Sequence, residues 1–241
     1  MTLRIAMWSG PRNISTAMMR SFSSRDDCFV SDEPYYGAFL KESGEPHPMA
    51  AETIADMETD WDAVTTALKG DPPSGAPLWY QKQMPHHMVG PVGIEAFLDT
   101  HRNAFLIRAP ERVVASYAKK NELREAEMLG FAQLKAYVEA VMAATGSMPP
   151  IVDSDDILAD PEAMLRKLCA SLGIGWDPAM LAWAKGPHPE DGVWGTHWYD
   201  RVNASTGFAD APGTMPALEG DYARVAAACR ADYDWLKARA L

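Results

Sequence analysis

The chain has 241 residues, of which 47% are hydrophobic and 23% charged. A chain of this length buries roughly 70% of its unfolded surface on folding, and its composition excludes disordered, collagen-like and coiled-coil proteins. Its net charge of -11 repels nucleic acid and anionic membranes and argues against both as general partners, so any bound anion must occupy a local basic pocket.

No apolar run approaches the roughly 20 residues of a membrane span, and residues 1–10 lack the features of a signal peptide. We therefore expect a cytoplasmic protein. Cys28, Cys169 and Cys229 are scattered and odd in number, which favours reduced thiols over a disulfide framework or a zinc cluster.

Short apolar runs alternate with helical patterns along the chain. The predicted strands are Leu3 to Trp8, Cys28 to Ser31, Leu78 to Gln81, Ala104 to Ile107 and Ile151 to Asp153. The predicted helices are Ser15 to Ser24, Ala50 to Lys69, Glu111 to Glu122, Glu127 to Ala144, Pro161 to Leu172 and Glu219 to Ala238. This alternation predicts an α/β fold with three layers, in which helices cover both faces of a mostly parallel sheet of about five strands.

The chain is expected to form a single domain over residues 1–241. Gly and Pro cluster at 71–77 and 186–216, but neither segment is long or uniform enough for a disordered linker. The second cluster contains Trp194, Trp198 and Tyr199, which indicates an ordered flap over about 187–216. A final helix is expected over about 219–238.

The first candidate site follows the first predicted strand. It consists of Gly10, Pro11, Arg12, Asn13, Ile14, Ser15 and Thr16. A loop between a strand and a helix presents backbone N–H groups to an anion. The loop resembles the P-loop of nucleotide-binding proteins, but the lysine and the magnesium-binding hydroxyl of the ATP-binding pattern are missing. Arg12 can supply a planar cation instead. The alternative is that Ser15 only caps the helix and Arg12 is a solvated surface charge.

The second candidate site follows the fourth predicted strand, where Arg108 lies at the strand's carboxyl end and Ser116 lies two turns into the next helix. In open α/β sheets, ligands bind at this edge. Residues 101–124 contain six Arg or Lys against two Glu, which reverses the sign of the overall charge. The alternative is that these cations only complement the helix dipole.

Together the two segments resemble the sulfotransferases that use 3′-phosphoadenosine-5′-phosphosulfate as donor. The first family motif is matched by Pro11-Arg12-Asn13-Ile14-Ser15-Thr16, and the second by Arg108, Pro110, Ser116 and Tyr117. The resemblance implies that Arg12, Ser15 and Thr16 hold the 5′-phosphosulfate, and that Arg108 and Ser116 hold the 3′-phosphate. The segment 194–208 resembles the flap of a bacterial and plant branch, and it departs from the Arg-Lys-Gly flap of better-known members. Plant domains of this kind can accompany aminotransferase-like domains.

The resemblance also suggests candidates for the catalytic base. Glu33 follows the second strand, where the heparan branch of the family carries a catalytic glutamate. Another branch carries a histidine after the third strand, where this chain has Gln83, with His86 and His87 just beyond. Their alternative role is a turn with solvent-facing imidazoles. Lys82 is expected either to neutralise sulfonate charge or to be a surface lysine.

The leading hypothesis is a transferase that moves a sulfuryl group to a hydroxyl or amine of a small molecule, without a metal and without nucleic-acid or membrane partners. The first alternative is an inactive nucleotide-binding module of the same fold, and the second is a P-loop kinase. The aromatic candidates either line an acceptor pocket or belong to the core. They are Tyr35, Tyr36, Trp79, Tyr80, Trp194, Trp198 and Tyr199.

Overall fold

The computed structural model describes residues 2–119, 123 and 125–241, so Lys120, Glu122 and Arg124 of the basic segment lie outside the described residues. Within these ranges, five strands form one parallel sheet in the order β2-β3-β1-β4-β5. The strands are β1 (Leu3–Ser9), β2 (Cys28–Asp32), β3 (Leu78–Gln83), β4 (Arg102–Ile107) and β5 (Ile151–Asp153). The predicted α/β class is confirmed, and this sheet is parallel throughout.

Helices connect and cover the strands. They are α1 (Ser15–Ser23), α2 (Tyr36–Ser43), α3 (Ala50–Asp56), α4 (Trp61–Lys69), α5 (Pro110–Tyr117), α6 (Phe131–Thr145), α7 (Ser154–Ala159), α8 (Pro161–Ser171), α9 (Gly195–Trp198), α10 (Asp200–Asn203) and α11 (Gly220–Lys237). The sheet is buried on both faces, which explains why its strands are apolar runs without strict alternation. On β1, for example, Ala6 and Trp8 belong to one core cluster while Ile5 and Met7 belong to the other.

Three predicted helices differ from the structure. The prediction of one helix over Ala50 to Lys69 is wrong, because the chain is extended at Met57 and the Asp60 carboxylate accepts a bond from Ala63 N at 2.8 Å to start a new helix. The helix predicted from Glu127 begins only at Phe131, after a 3₁₀ turn over Ala126–Leu129 and a left-handed Gly130. The helix predicted over 111–122 corresponds to α5, which ends at Tyr117, and positions 120–122 lie outside the described residues.

The strand order places β1 at the centre, between β3 and β4. After β1 the chain forms β2 and β3 on one side of β1 in the sheet, and it then forms β4 and β5 on the other side. A crevice opens at such a reversal, beyond the carboxyl ends of the strands. The segment that follows β1, the two carboxylates at the end of β2 and the arginine that follows β4 all lie at this edge.

None of the helices in the described ranges is both long and apolar enough to cross a membrane. All three cysteines are free, with Cys169 and Cys229 buried and Cys28 partly buried. Burial raises the pKa of Cys229 to about 11, so this thiol stays protonated at neutral pH.

Candidate active site

A cavity of about 730 Å³ occupies the crevice at the carboxyl edge of the sheet. One wall is formed by residues 11–17, a second by Glu33, Lys82 and Met84 at the ends of β2 and β3, and a third by Arg108 and the residues of α5 near Ser116. The segments 198–202 and 205–209 cover it. Both predicted anion motifs therefore open into one cavity.

The segment between β1 and α1 has a backbone suited to an anion. Arg12 and Ile14 have positive φ values of 64° and 59°, and they alternate with Asn13. Left-handed residues that alternate with ordinary ones create a concave row of N–H groups. The helix begins at Ser15 with Ile14 as its N-cap, so the alternative in which Ser15 is the cap is wrong. The Ile14 side chain has no acceptor atom, which leaves the first-turn N–H groups of α1 available to a ligand.

Gly10 permits a close approach of two chain segments. A Cβ atom at this position would lie 2.4 Å from the carbonyl oxygen of Leu129, which is too close for any side chain. Asn13 is buried, and its amide donates to Leu106 O at 3.1 Å. This bond fixes the segment against β4.

The two predicted motifs are in direct contact, although they are about a hundred residues apart in sequence. Arg12 Nε donates to Ser116 Oγ at 2.9 Å, and Arg108 Nη1 donates to the carbonyl oxygen of Arg12 at 3.0 Å. Arg12 is half-buried by these contacts, so its description as a solvated surface charge is wrong. Burial and the nearby charges of Arg201 and Arg108 lower the pKa of Arg12 from its ordinary value.

Arg108 is turned toward the cavity with incomplete hydrogen bonding. Its Nε is buried without a hydrogen-bond partner among the described residues, and the nearest carboxylate oxygen, Asp155 Oδ1, is 3.6 Å away. Asp155 instead accepts a 2.7 Å bond from Arg112 Nε. Burial lowers the pKa of Arg108 against the opposing effect of Asp155. Arg108 is half-buried in the cavity wall, and its ion pair with Asp155 is long, so its guanidinium is a suitable partner for an anion.

Arg201 on α10 is a third cation at the cavity, and sequence reasoning gave it no role. Its charge is close enough to Arg12 to lower the pKa of that residue. Three arginines from three separate elements therefore face the same space. Three positive charges close together, in a protein whose net charge is strongly negative, indicate a ligand that carries several negative charges.

Lys82 lies at the centre of a buried polar cluster, so the interpretation of Lys82 as a surface lysine is wrong. Its side chain is 1% exposed, and its ammonium lies 2.8 Å from Asp32 Oδ1 and 2.7 Å from Glu33 Oε1. It also donates to Thr16 Oγ1 at 3.1 Å and to Tyr199 OH at 2.7 Å. The parallel register pairs Asp32 with Lys82 on neighbouring strands, which places their side chains on one face. The two carboxylates raise the pKa of Lys82 well above its ordinary value.

Glu33 lines the cavity and has a strained backbone. Its φ of 46° is left-handed, and such a conformation costs on the order of 1–3 kcal/mol in a residue other than glycine. Burial raises the pKa of its carboxyl group, and the negative charge of Asp32 adds to this effect. The Lys82 ammonium lowers the pKa of Glu33, but by less than burial and Asp32 together raise it. Glu33 is therefore a stronger base than an exposed glutamate, and it lies beside the anion site.

His86 and His87 form a 3₁₀ turn with Pro85 and line the cavity. His87 is buried and stacks on Tyr36 and Phe39 with ring-centroid distances of 4.6 and 4.7 Å, so the alternative of solvent-facing imidazoles is wrong for it. Its Nε2 lies 3.9 Å from Glu33 Oε2. Burial lowers the pKa of His86 to about 3 and that of His87 well below its ordinary value. Both rings are therefore neutral at pH 7.

Gln83, which occupies the position expected for a histidine, is buried at the end of β3. Its amide donates to Gln81 Oε1 at 3.4 Å, and its side chain is not part of the cavity wall. The presence of glutamine instead of histidine at position 83 therefore does not alter the lining of the cavity.

Four of the seven aromatic candidates line the cavity, and three of these four, Tyr36, Trp194 and Tyr199, also belong to a buried core cluster. Those in the cavity wall are Tyr36, Trp194, Trp198 and Tyr199. The other three, Tyr35, Trp79 and Tyr80, lie in the core.

The flap is fixed to the sheet by buried polar contacts that sequence reasoning missed. Arg20 on α1 forms a two-pronged ion pair with Asp191, with both N–O distances at 2.6 Å. Tyr199 OH donates to Asp32 Oδ2 at 2.7 Å, and Trp194 Nε1 donates to Tyr199 OH at 3.1 Å. These contacts hold part of the segment 187–216 against α1 and β2.

A family model described as sulfotransferase domain matches residues 3–240. The chain belongs to the sulfotransferase-domain family. Two similar proteins of Arabidopsis thaliana are the branched-chain-amino-acid aminotransferase-like proteins 2 and 1, with identities of 34% over 220 residues and 35% over 222 residues. Each match covers 90% of this chain but 39% of the relative, so the chain spans about two-fifths of the length of these relatives.

Solved structures agree with the fold. A sulfotransferase from Alicyclobacillus acidocaldarius has a TM-score of 0.55 and 14% identity, with 100% of this chain and 98% of that chain covered. The sulfotransferase domain from the curacin biosynthetic pathway has a TM-score of 0.51 and 12% identity, covering 95% and 98%. The sulfotransferase domain from the Synechococcus PCC 7002 olefin synthase has a TM-score of 0.51 and 17% identity, covering 94% of each chain. At these identities the likeness establishes the fold, and the chemistry must be argued from the site.

Proposed function

We propose that this protein transfers a sulfuryl group from 3′-phosphoadenosine-5′-phosphosulfate to a hydroxyl or amine of a small-molecule acceptor. The observation that carries the proposal is the contact between Arg12 and Ser116, together with the bond from Arg108 to the Arg12 carbonyl. These contacts join two separate anion motifs in one cavity. A donor with phosphate groups at both its 3′ and 5′ positions needs two such motifs side by side.

The residues present fit the two ends of this donor. Arg12, Ser15 and Thr16, with the N–H groups that begin α1, would hold the phosphosulfate end, because this helix start has no side-chain cap. Arg108 and Ser116 would hold the 3′-phosphate, because Arg108 has a buried donor without a hydrogen-bond partner in the described part of the chain. The other donor-site positions are Gly10, Pro11, Asn13 and Ile14, which shape the backbone. Bound donor supplies an activated sulfuryl group.

The acceptor side of the cavity contains the proposed base. Glu33 would take the proton from the acceptor O–H or N–H as the acceptor's oxygen or nitrogen bonds to sulfur and the bond from sulfur to the phosphate oxygen breaks. Arg12 would stabilise the negative charge that develops on that leaving oxygen. Lys82 would neutralise the carboxylates behind the site. None of these roles needs a metal ion, and no group of three or more metal-binding side chains occurs among the described residues.

Isothermal titration calorimetry tests the donor site. Adenosine 3′,5′-bisphosphate should bind the wild type, and Arg108→Ala should weaken it by ten- to hundredfold, the equivalent of a charge-assisted bond of about 1.5–3 kcal/mol. Adenosine 5′-monophosphate, which lacks the 3′-phosphate, should bind both proteins almost equally. Arg166→Ala is a matched control, because Arg166 is an exposed arginine on α8 that pairs with Glu162. Equal weakening of both nucleotides by Arg108→Ala would show that the 3′-phosphate assignment is wrong.

A further inference from the structure

Asp32 and Glu33 are consecutive carboxylates that share one buried ammonium group. Lys82 Nζ lies 2.8 Å from Asp32 Oδ1 and 2.7 Å from Glu33 Oε1. Thr16 Oγ1 and Tyr199 OH lie 3.1 and 2.7 Å from the same nitrogen. An ammonium has three N–H donors, so these four oxygens compete for them. The bond that Lys82 makes to Asp32 therefore weakens its bond to Glu33.

The two carboxylates differ in their access to the cavity. Asp32 has a side chain that is 1% exposed, and both of its oxygens are occupied: Oδ1 accepts from Lys82, and Oδ2 accepts from Tyr199 OH at 2.7 Å and Gly192 N at 3.4 Å. Glu33 has a side chain that is 12% exposed, and it lines the cavity. Glu33 can reach an acceptor, whereas Asp32 can act only through its neighbours.

Titratable groups face Glu33 from several elements. They are Asp32 on β2, Lys82 on β3, His87 in the turn after β3, Tyr36 on α2 and Tyr199 in the flap. Burial keeps the histidine and both tyrosines neutral at pH 7, because it lowers the pKa of His87 and raises those of the phenols. At pH 7 the charged groups in this set are therefore one cation, Lys82, and one anion, Asp32, and both act on Glu33.

A glutamate that pairs alone with a buried ammonium is a weak base, because the cation stabilises its charged form. A second carboxylate on the same ammonium opposes this effect in part, through competition for its N–H donors and through direct repulsion, and burial of Glu33 acts in the same direction. We propose that Asp32 is a positioning residue that divides Lys82 between two carboxylates and thereby keeps Glu33 basic enough to take the acceptor's proton. The inference rests on the proposed function, in which Glu33 is the base.

The test is a titration of Glu33 in the ligand-free protein by carbon-13 NMR of labelled glutamate carboxyls, with the Glu33 signal assigned through Glu33→Gln. Asp32→Asn keeps the shape and removes the charge, so the Glu33 midpoint should fall by about one pH unit. The acid limb of kcat/KM should move by the same amount, while adenosine 3′,5′-bisphosphate affinity stays within about twofold. Asp71→Asn is the matched control, because Asp71 has a 77% exposed side chain and should leave the midpoint unchanged.

An unchanged Glu33 midpoint in Asp32→Asn would overturn the inference, and so would a rate loss that is equal at every pH. If Asp32→Asn does not fold, Asp32→Ser replaces it, because the serine hydroxyl can still accept from Lys82. A wild-type Glu33 midpoint at or below the ordinary value of about 4.3 overturns the inference without any variant. The titration needs no substrate, so it succeeds or fails separately from the search for sulfuryl transfer.

Discussion

Arg12 is expected to serve both donor binding and catalysis, and Arg12→Ala separates the two roles. The bond to Ser116 Oγ uses one of the five N–H donors of the guanidinium, which leaves four for the oxygens of an anion. Loss of a charge-assisted bond of about 1.5–3 kcal/mol should weaken adenosine 3′,5′-bisphosphate by ten- to hundredfold. Loss of a donor that faces the leaving oxygen should lower turnover by a further 10²- to 10³-fold or so.

Calorimetry with adenosine 3′,5′-bisphosphate and single-turnover transfer kinetics measure the two losses separately. Arg12→Lys keeps the charge but not the planar fork, so it should recover part of the binding and less of the turnover. Ser116→Ala keeps Arg12 and removes one charge-assisted hydrogen bond to the 3′-phosphate, so it should cost about 1.5–3 kcal/mol of binding without a further loss of turnover. Equal losses of binding and turnover in Arg12→Ala would refute a catalytic role and reduce Arg12 to an anchor for the donor.

Three other predictions follow from the site. Gly10→Ala should lower the melting temperature by several degrees, because its Cβ would lie 2.4 Å from Leu129 O and overpacking costs about 1–3 kcal/mol; an unchanged melting curve would contradict this. Chelation with EDTA should leave adenosine 3′,5′-bisphosphate affinity unchanged, whereas a lost affinity would reveal a metal requirement. The kcat/KM profile should fall with acid through a midpoint above about 4.3, because the base must be ionised and burial raises the pKa of Glu33. A midpoint below that value would contradict the assignment.

The strands and the two anion motifs could be predicted from the sequence because their signals are local. All five predicted strands lie within the observed ones, as brief apolar runs that end in polar or turn residues. Arg12 and Arg108 both follow such strands, and a parallel sheet brings the carboxyl ends of its strands to one edge. Strand direction therefore predicted that both candidate anion motifs lie at the carboxyl edge of the sheet.

The buried polar cluster could not be predicted, because it depends on contacts between distant segments. Asp32 meets Lys82 through strand register, and Tyr199 reaches both from the flap across more than a hundred residues. Nothing in the sequence near Lys82 distinguishes a buried lysine from a surface one. Arg201 was part of the recognised flap, but only the folded flap places its charge beside Arg12.

The boundaries of some helices were missed because a short capping signal outweighed a long helical pattern. The Asp60 cap divides the segment 50–69 into α3 and α4, although most of its residues favour a helix. The short helices α2 and α7 were missed because they are only eight and six residues long, and α7 begins directly after β5. Periodicity is weak over so few residues.

The most direct test of the account is transfer of sulfur-35 from labelled 3′-phosphoadenosine-5′-phosphosulfate to a library of hydroxyl and amine acceptors, with the wild type beside Glu33→Gln. The account predicts labelled product with the wild type, and turnover that is about 10²- to 10⁴-fold lower with Glu33→Gln at a donor affinity within about twofold. Full activity of Glu33→Gln would assign the base to another residue, His86 or His87 first. Tight binding of adenosine 3′,5′-bisphosphate without transfer to any acceptor would contradict the enzymatic function and favour a nucleotide-binding module.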